Sequence, residues 1–417
     1  MWKAYPRHSV NLSAGCYSAV LSVLIRGKVL QGPHVEAFEK GFADYLGVRH
    51  AVGVSSGRAA LYLAFKALQF CEGDEIIMPA YTFHIVPLVI KACGLKPVFV
   101  DVLPDTYNID VSLIERKITP KTRAILATHM YGRPCELEPV LQIAQQNGLR
   151  VLEDCAHALG ASYRGRKVGG FGDLGAFTFA MAKNMPCFGG GMLTTNDDDT
   201  YRRLMHMVRP PGADRLKGLW KEVFRTTVNY LVTLPRIFSL GVYPFIRAST
   251  AFGSSLFDRE PGQETVSATS GQSEYLTRLT NLQAAVGLYQ LTRVEEINAA
   301  MNRNAILYNE LLKGQPAIKV PGVSSGRTHT FLYYRLEVPD RQALRKTLIR
   351  KGVDTMPDDM SNCADLPPFR EDKTRLRVTP GLPERILEIP NNSHLKEEDV
   401  RNIAKGIKSA LESCRRA

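Results

Sequence analysis

The chain has 417 residues, 45% of them hydrophobic and 23% charged, with a net charge of +12 and a pI near 9.3. This is an ordinary globular composition, with room for about two or three domains and a sizeable core. The charge surplus favours anionic partners, whether phosphorylated substrates, nucleic acid or an acidic membrane surface. No zinc-finger spacing and no basic region followed by heptads is present, so nucleic acid is not expected. Eight cysteines lie scattered without a CxxC pair, which indicates neither a metal site nor a disulfide framework. The opening MWKAYPRHSVNLS has no continuous apolar core, so no signal peptide is read there and the expected compartment is the reducing cytoplasm.

In chain order, Val35, Phe38, Phe42 and Leu46 recur at helical spacing, predicting an amphipathic helix from about Pro33. A short strand, Ala51 to Val54, runs into Ser55, Ser56 and Gly57, and a second apolar helix begins near Arg58. A strand, a small-residue turn and a helix N-terminus can cradle a phosphate, although many ordinary strand–helix turns look the same. Further strands are predicted at Glu75 to Pro79, Pro97 to Val102, Ala124 to Thr128 and Arg150 to Leu152. They alternate with helical segments, including Val111 to Lys117 and Leu137 to Gln146. Such alternation predicts a largely parallel sheet covered on both faces, with ligands beyond the carboxyl ends of its strands. Ser55 to Gly57, Tyr81 to His84, His129 to Tyr131 and Asp154 to His157 all fall at those ends.

The stretch Val151 to Asp197 carries most of the chemistry. A strand ends in Glu153 and Asp154; a second, Gly175 to Phe179, is followed by Lys183 among small and apolar residues and then by Gly189, Gly190 and Gly191. Burying an ammonium is costly unless it is paired or neutralised. A Schiff-base lysine tied to pyridoxal phosphate, with a carboxylate for the pyridinium nitrogen, explains the placement. A lysine capping a strand end on the surface explains it equally well from local pattern alone.

The motifs GPHVEAFE, AVGVSSGRAALYLAF, GDEIIMPAYTF, THMYGRP, EDCAHALGASYRGRKVGGFGDLGAFTF with the following AMAKN, and RLTNLQAAVGLYQL resemble, in that order, the DegT/DnrJ/EryC1/StrS group of pyridoxal-phosphate aminotransferases. The resemblance implies an α/β fold of type I: a large domain with a mostly parallel seven-stranded sheet, and a small C-terminal α/β domain. It implies the cofactor pyridoxal 5'-phosphate, an amino-acid donor such as glutamate, a keto acceptor, and a homodimer with shared active sites. Lys183 resembles the cofactor lysine and Asp154 the partner of the pyridinium nitrogen. Phe83 stands where an aromatic ring stacks on the cofactor, and His157 at a position, often glutamine, facing the phenolic oxygen. Ser56, Gly57, Arg58 and Thr178 match phosphate contacts, while Arg278 and His329 are carried as substrate candidates. Retention of Lys183 favours transamination over the group's dehydratases, which have histidine there. Phe83 and His157 also read as plain core residues, and a silent cofactor-binding homologue is the competing function.

The chain departs from the group's pattern at five places. Arg58 replaces the usual threonine; Phe188 opens the run whose usual form is Gly-Glu-Gly-Gly; Leu276 stands where a partner-subunit asparagine reaches the phosphate. The segment GVDTMPDDMSNCADLPPF lacks the group's substrate-facing histidine. Finally, residues 213–262 form an apolar and basic insertion. From Thr226 to Ile246 its only charge is Arg236, and Pro235 and Pro244 interrupt it. Spanning a membrane takes about 20 uninterrupted apolar residues, so a hairpin lying on an anionic membrane surface through residues 217–252 is expected, or else a helical layer packed on the dimer. Peripheral attachment to the cytoplasmic face and a lipid-linked ketone substrate, beside the nucleotide-linked keto sugar the resemblance implies, follow from the first reading. Asp258 to Gln272 reads as a polar loop. The expected organisation is an arm at 1–13, a large domain at 14–295 and a small one at 296–417. In the small domain His329 to Val338 is read as a strand, with helices at Asp340 to Lys351 and Lys396 to Leu411.

Overall fold

The computed structural model describes residues 3–251, 275–322, 326–370 and 375–416. The predicted polar loop at Asp258 to Gln272 lies outside the described residues, as does the last part of the insertion.

Helices α1 (Ala14–Ile25) and α2 (His34–Leu46) precede the first strand. The sheet is built from β1 (His50–Val54), β2 (Glu75–Pro79), β3 (Lys96–Val100), β4 (Thr122–Thr128), β5 (Arg150–Asp154), β6 (Leu174–Thr178) and β7 (Gly191–Thr195). Its order is β1-β7-β6-β5-β4-β2-β3, parallel throughout except that β7 runs antiparallel to both neighbours. The two-residue side-chain period divides each strand between two cores. Ile76, Met78, Ala124, Leu126 and Leu152 enter one; Ile77, Ile125, Ala127 and Val151 enter the other. The connecting helices α3 (Gly57–Ala67), α4 (Ile85–Ala92), α5 (Leu137–Gln146) and α6 (Asp198–Met207) are placed so that the carboxyl ends of β1, β5 and β6 converge.

The insertion folds as α7 (Arg215–Val232), a short turn at Pro235 with a π-type turn over Phe238–Val242, and α8 (Tyr243–Ala251). Among the described residues no helix is long and apolar enough to cross a membrane. One face of the insertion packs on its own chain: Phe238, Tyr243 and Ile246 bury against Ala4 and Ile349, and the Tyr17 hydroxyl bonds Thr227 at 3.3 Å. The layer therefore rests on the same protomer.

Beyond α9 (Asn281–Leu291) and α10 (Val294–Leu312), a separate cluster of buried residues forms around β8 (Tyr334–Glu337) and β9 (Ile386–Ile389), with α11 (Arg341–Arg350) and α12 (Glu397–Arg416). The N-terminal arm lies along this cluster, with Tyr5 bridged to Val353 and Arg7 paired with Asp354 at 2.8 Å. Two expectations need correction. The strand over His329 to Val338 shortens to β8, because Phe331 takes a left-handed conformation (φ 47°) and its N–H donates to its neighbour's ring, His329 Nδ1, at 2.8 Å. Val111 to Lys117 makes two 3₁₀ turns rather than a helix, the first started by Asp110 capping Ser112.

Candidate active site

The phosphate-type turn is built by geometry that only small residues allow. Ser56 leaves β1 extended and accepts the Ala59 N–H at 3.1 Å, starting α3. The first-turn N–H groups of a helix lack intrahelical partners and point out of its N-terminus. Gly57 comes so close to the end of β6 that an added Cβ would sit 2.6 Å from Thr178 Cβ and 2.9 Å from its hydroxyl. Ser56, Gly57 and Thr178 are thus one cluster, with Arg58 exposed on the same helical turn. Behind it Gly190, at φ 98°, bridges to Ser56.

Strand alternation separates the two acids that end β5. The Glu153 side chain is fully buried and accepts the N–H groups of Gly169, Phe171 and Gly172, so it shapes the loop before β6. With His129 and Cys155 it brings three metal-type donors within 4.8 Å. Both Glu153 oxygens are already engaged, and His129 Nδ1 accepts the Cys135 N–H, so the trio works as structural support. Asp154 faces the other way. It is buried, its carboxylate accepts the Ala156 N–H at 3.1 Å, and it forms no ion pair among the described residues. Burial raises its carboxyl above the ordinary range, against the pull of Lys183 and His129. A carboxylate left so is a ready partner for a protonated ring nitrogen.

Lys183 sits in the loop after β6, its Nζ 3.3 Å from the Tyr333 hydroxyl and 5.3 Å from that ring's centre. Burial pushes its amine down to about 8, while Asp359 and Asp154 oppose the shift. An amine lowered this far has a sizeable neutral fraction near physiological pH, the form that nucleophilic attack on a carbonyl needs. His157 is held between the rings of Tyr131 (6.2 Å) and Tyr333 (5.2 Å). Burial, then Lys183 and Arg335, keep it well below its ordinary pKa and hence neutral. Its Nδ1 accepts the Tyr131 N–H at 3.3 Å, which leaves the proton on Nε2 as a donor. Phe83, at the start of α4, remains more than a third exposed, its ring 4.5 Å from His84.

The remaining candidates lie apart. Arg278 donates to both oxygens of Glu39, at 2.7 and 2.6 Å, behind the turn at Ser55. His329 stacks on Phe331 at 3.7 Å and lines a small cavity with Arg133, Asn302 and Arg327, in which Lys183 takes no part. Sequence reasoning missed the group that surrounds Lys183. Arg335, 2% exposed, pairs with Asp358, with Asp359 at 2.9 Å and with Glu388 at 2.9 Å. Its guanidinium lies over the rings of Tyr131 (4.4 Å) and Tyr333 (4.6 Å). Burial would raise Asp359, but Arg335 and Lys183 hold it below the ordinary carboxylate range. A charged residue at an inward strand position, in YYRLEV, was the available signal. So was the acid pair in the PDDM of the segment without a histidine.

A sequence profile described as the DegT/DnrJ/EryC1/StrS aminotransferase family matches residues 13–237 and 246–408. The chain belongs to this family. It is an aminotransferase of the DegT/DnrJ/EryC1/StrS type, and the interruption in the match falls inside the insertion. Among similar proteins, GDP-perosamine synthase of Caulobacter vibrioides is 31% identical over 388 residues, covering 91% of each chain. UDP-N-acetyl-3-dehydro-alpha-D-glucosamine 3-aminotransferase of Acidithiobacillus ferrooxidans is 28% identical over 410 residues, 97% of this chain and 96% of that one. Of solved structures, DesV of S. venezuelae superposes with a TM-score of 0.74 at 27% identity, covering 96% of this chain and 95% of that one. The family's α/β architecture, with its mostly parallel seven-stranded sheet, is the one described above.

Proposed function

We infer that this aminotransferase uses pyridoxal 5'-phosphate to turn the keto group of a nucleotide-linked sugar into an amine, with an amino acid, glutamate by preference, as donor. The observation that carries this is Lys183: an amine depressed to about 8, at the carboxyl end of the sheet, close enough to Asp154 for their charges to interact. The residues fit the cofactor: a cradle at Ser56, Gly57, Arg58 and Thr178 for the phosphate, Asp154 for the ring nitrogen, His157 Nε2–H for the phenolic oxygen, and Phe83 for one ring face. Bound there, pyridoxal phosphate supplies the electron sink that transamination requires.

The protein's part is positioning and proton movement. Asp154 keeps a proton on the ring nitrogen. Lys183 Nζ would hold the cofactor, and the same amine, when free, is placed to take up a proton from a bound donor's α-carbon. Tyr333 accepts a hydrogen bond from that amine, and Asp359 supplies the negative charge that steadies its protonated form. Similar proteins named for keto-sugar amination support the substrate class. The arm 1–13, a large domain 14–295 and a small domain 296–417 make up a protein that works in the cytoplasm as a homodimer. A lipid-linked ketone is the second reading, favoured by the exposed apolar face of the insertion.

The test is direct. Protein stripped of cofactor should regain a visible absorbance band with pyridoxal phosphate, lose it on addition of glutamate, and aminate nucleotide-linked keto sugars in a mass-spectrometric assay. Lys183→Ala should show no such band. Wild-type protein that stays colourless after reconstitution defeats the reading; aminated product found only in lipid extracts selects the second substrate class.

A further inference from the structure

The insertion has two faces of opposite character. At about 100° per residue, Leu219, Thr226 and Tyr230 of α7 point to the protein, the first two buried and the third with its ring 6.3 Å from Tyr17. The opposite side presents Trp220, Phe224, Val228 and Leu231, and beyond the proline turn Leu240 and Phe245 continue the apolar face. Phe224, Leu240 and Phe245 are 71%, 70% and 70% exposed. So many exposed large apolar side chains within one short segment mark an interaction surface.

We propose that this face docks on an anionic lipid bilayer, α7 and α8 lying in the headgroup region with the catalytic layer behind them. Charge decides the occupant. Lys217, Lys221 and Arg225 follow one another at four-residue steps directly beside the apolar stripe, all three exposed. The stretch 214–247 carries six basic residues, Arg215, Lys217, Lys221, Arg225, Arg236 and Arg247, against the acids Asp214 and Glu222. An apolar strip edged by lysine and arginine suits acidic headgroups over an acyl boundary. A second copy suits it poorly, because a two-fold contact sets a surface against itself and would bring the cations together. Neither helix is long and apolar enough to cross a membrane, and the chain turns between them at Pro235 and the π-type turn. Packing links the face to the chemistry: Tyr230 meets Tyr17, and Tyr17 meets Phe188 at 6.4 Å, in the loop that carries Lys183. Docking would thus place the catalytic layer at the bilayer surface, within reach of a polar substrate head held there.

The experiment uses the full-length enzyme and vesicles of phosphatidylcholine alone or with about 30 mol% phosphatidylglycerol. Flotation should show binding to the anionic vesicles only, weakened at least tenfold when salt is raised from about 0.05 to 0.5 M. With Trp2→Phe as background, Trp220 emission should shift to the blue on binding. Phe224→Ser/Leu240→Ser/Phe245→Ser should reduce vesicle binding at least tenfold, with activity on a soluble substrate and molecular size unchanged. Three results overturn the proposal: no vesicle binding by the wild type, equal binding by the triple variant, or a triple variant of smaller oligomeric size. The last would show that the face is an interface between copies.

Discussion

Lys183 is tuned by opposing effects, and this makes its titration informative. Burial lowers its amine to about 8, and Asp359 is the largest influence in the other direction. The neutral, reactive fraction therefore rises as pH passes through about 8 and levels off above it. Removing the Asp359 charge takes away support for the protonated form, so the midpoint must fall. We predict that Asp359→Asn takes up pyridoxal phosphate with a pH midpoint below the wild type's, read from the rate of absorbance gain; an unchanged or higher midpoint contradicts the arrangement. Gly57 offers a steric test. A Cβ there meets Thr178 at 2.6 Å, and overpacking of this kind costs about 1–3 kcal/mol, roughly 5- to 150-fold in affinity. Gly57→Ala should weaken pyridoxal phosphate binding within that range. Gly57→Ala/Thr178→Gly should bind less weakly than additivity of the two single variants predicts, because the Cβ that the added methyl would strike is gone. The Arg335 ion cluster gives a third. Breaking a buried pair costs about 3–5 kcal/mol, so Arg335→Met should lose stability on that scale in urea unfolding at neutral pH. In the wild type Asp359 is held low, so its stabilising contribution is present at neutral pH and fades as pH falls through the carboxylate range. In the variant the uncompensated carboxylates bind protons more readily than in the unfolded chain, so its stability rises over the same fall. The gap between the two proteins should narrow toward about pH 4–5.

At the scale of elements, the sequence was legible where one local rule dominates. The strands of the sheet are buried on both faces and read as short β-branched runs; Leu137–Gln146 is found with the bounds its periodicity gave. The turn at Ser56 and Gly57 was visible as small residues between strand and helix, but the contact that requires Gly57 comes from Thr178, far along the chain. The misreadings have the same origin. His329 to Val338 reads as a strand, yet Phe331 breaks it through a left-handed backbone that no propensity announces. Arg335 appeared as one charge in an apolar run; its three carboxylate partners come from two other segments. Of the residues gathered at the candidate site, those with their own motif could be singled out from the sequence, and those that depend on partners distant in sequence, such as Arg335, could not. The insertion lies between these cases. Its apolar character and basic edge were read directly, whereas its seat on Ala4, Tyr17 and Ile349 could come only from the fold.

For the whole molecule, the described residues present two exposed apolar faces to assign, one on α7 and one on α1, and they differ in one respect. Helix α1 exposes Leu21, Leu24 and Ile25, the last at 78%, and has no charged residue from Ala14 to Ile25. Setting this face against its own copy brings no like charges together, so it is suited to the two-fold contact that the basic face of α7 resists. A dimer formed through α1 also lies close to the chemistry, because Tyr17 on that helix packs on Phe188 of the Lys183 loop. The two faces then make separable predictions. For the homodimer proposed above, Leu21→Glu/Ile25→Glu should convert a protein of about twice 46.3 kDa into monomers by light scattering. The same variant keeps α7 intact, so each protomer should still float with anionic vesicles, only more weakly, since one docking face per particle replaces two. A double variant that remains dimeric removes α1 from the subunit contact. One that turns monomeric and loses all vesicle binding shows instead that the membrane face is assembled across the dimer, with α1 and α7 acting as a single surface.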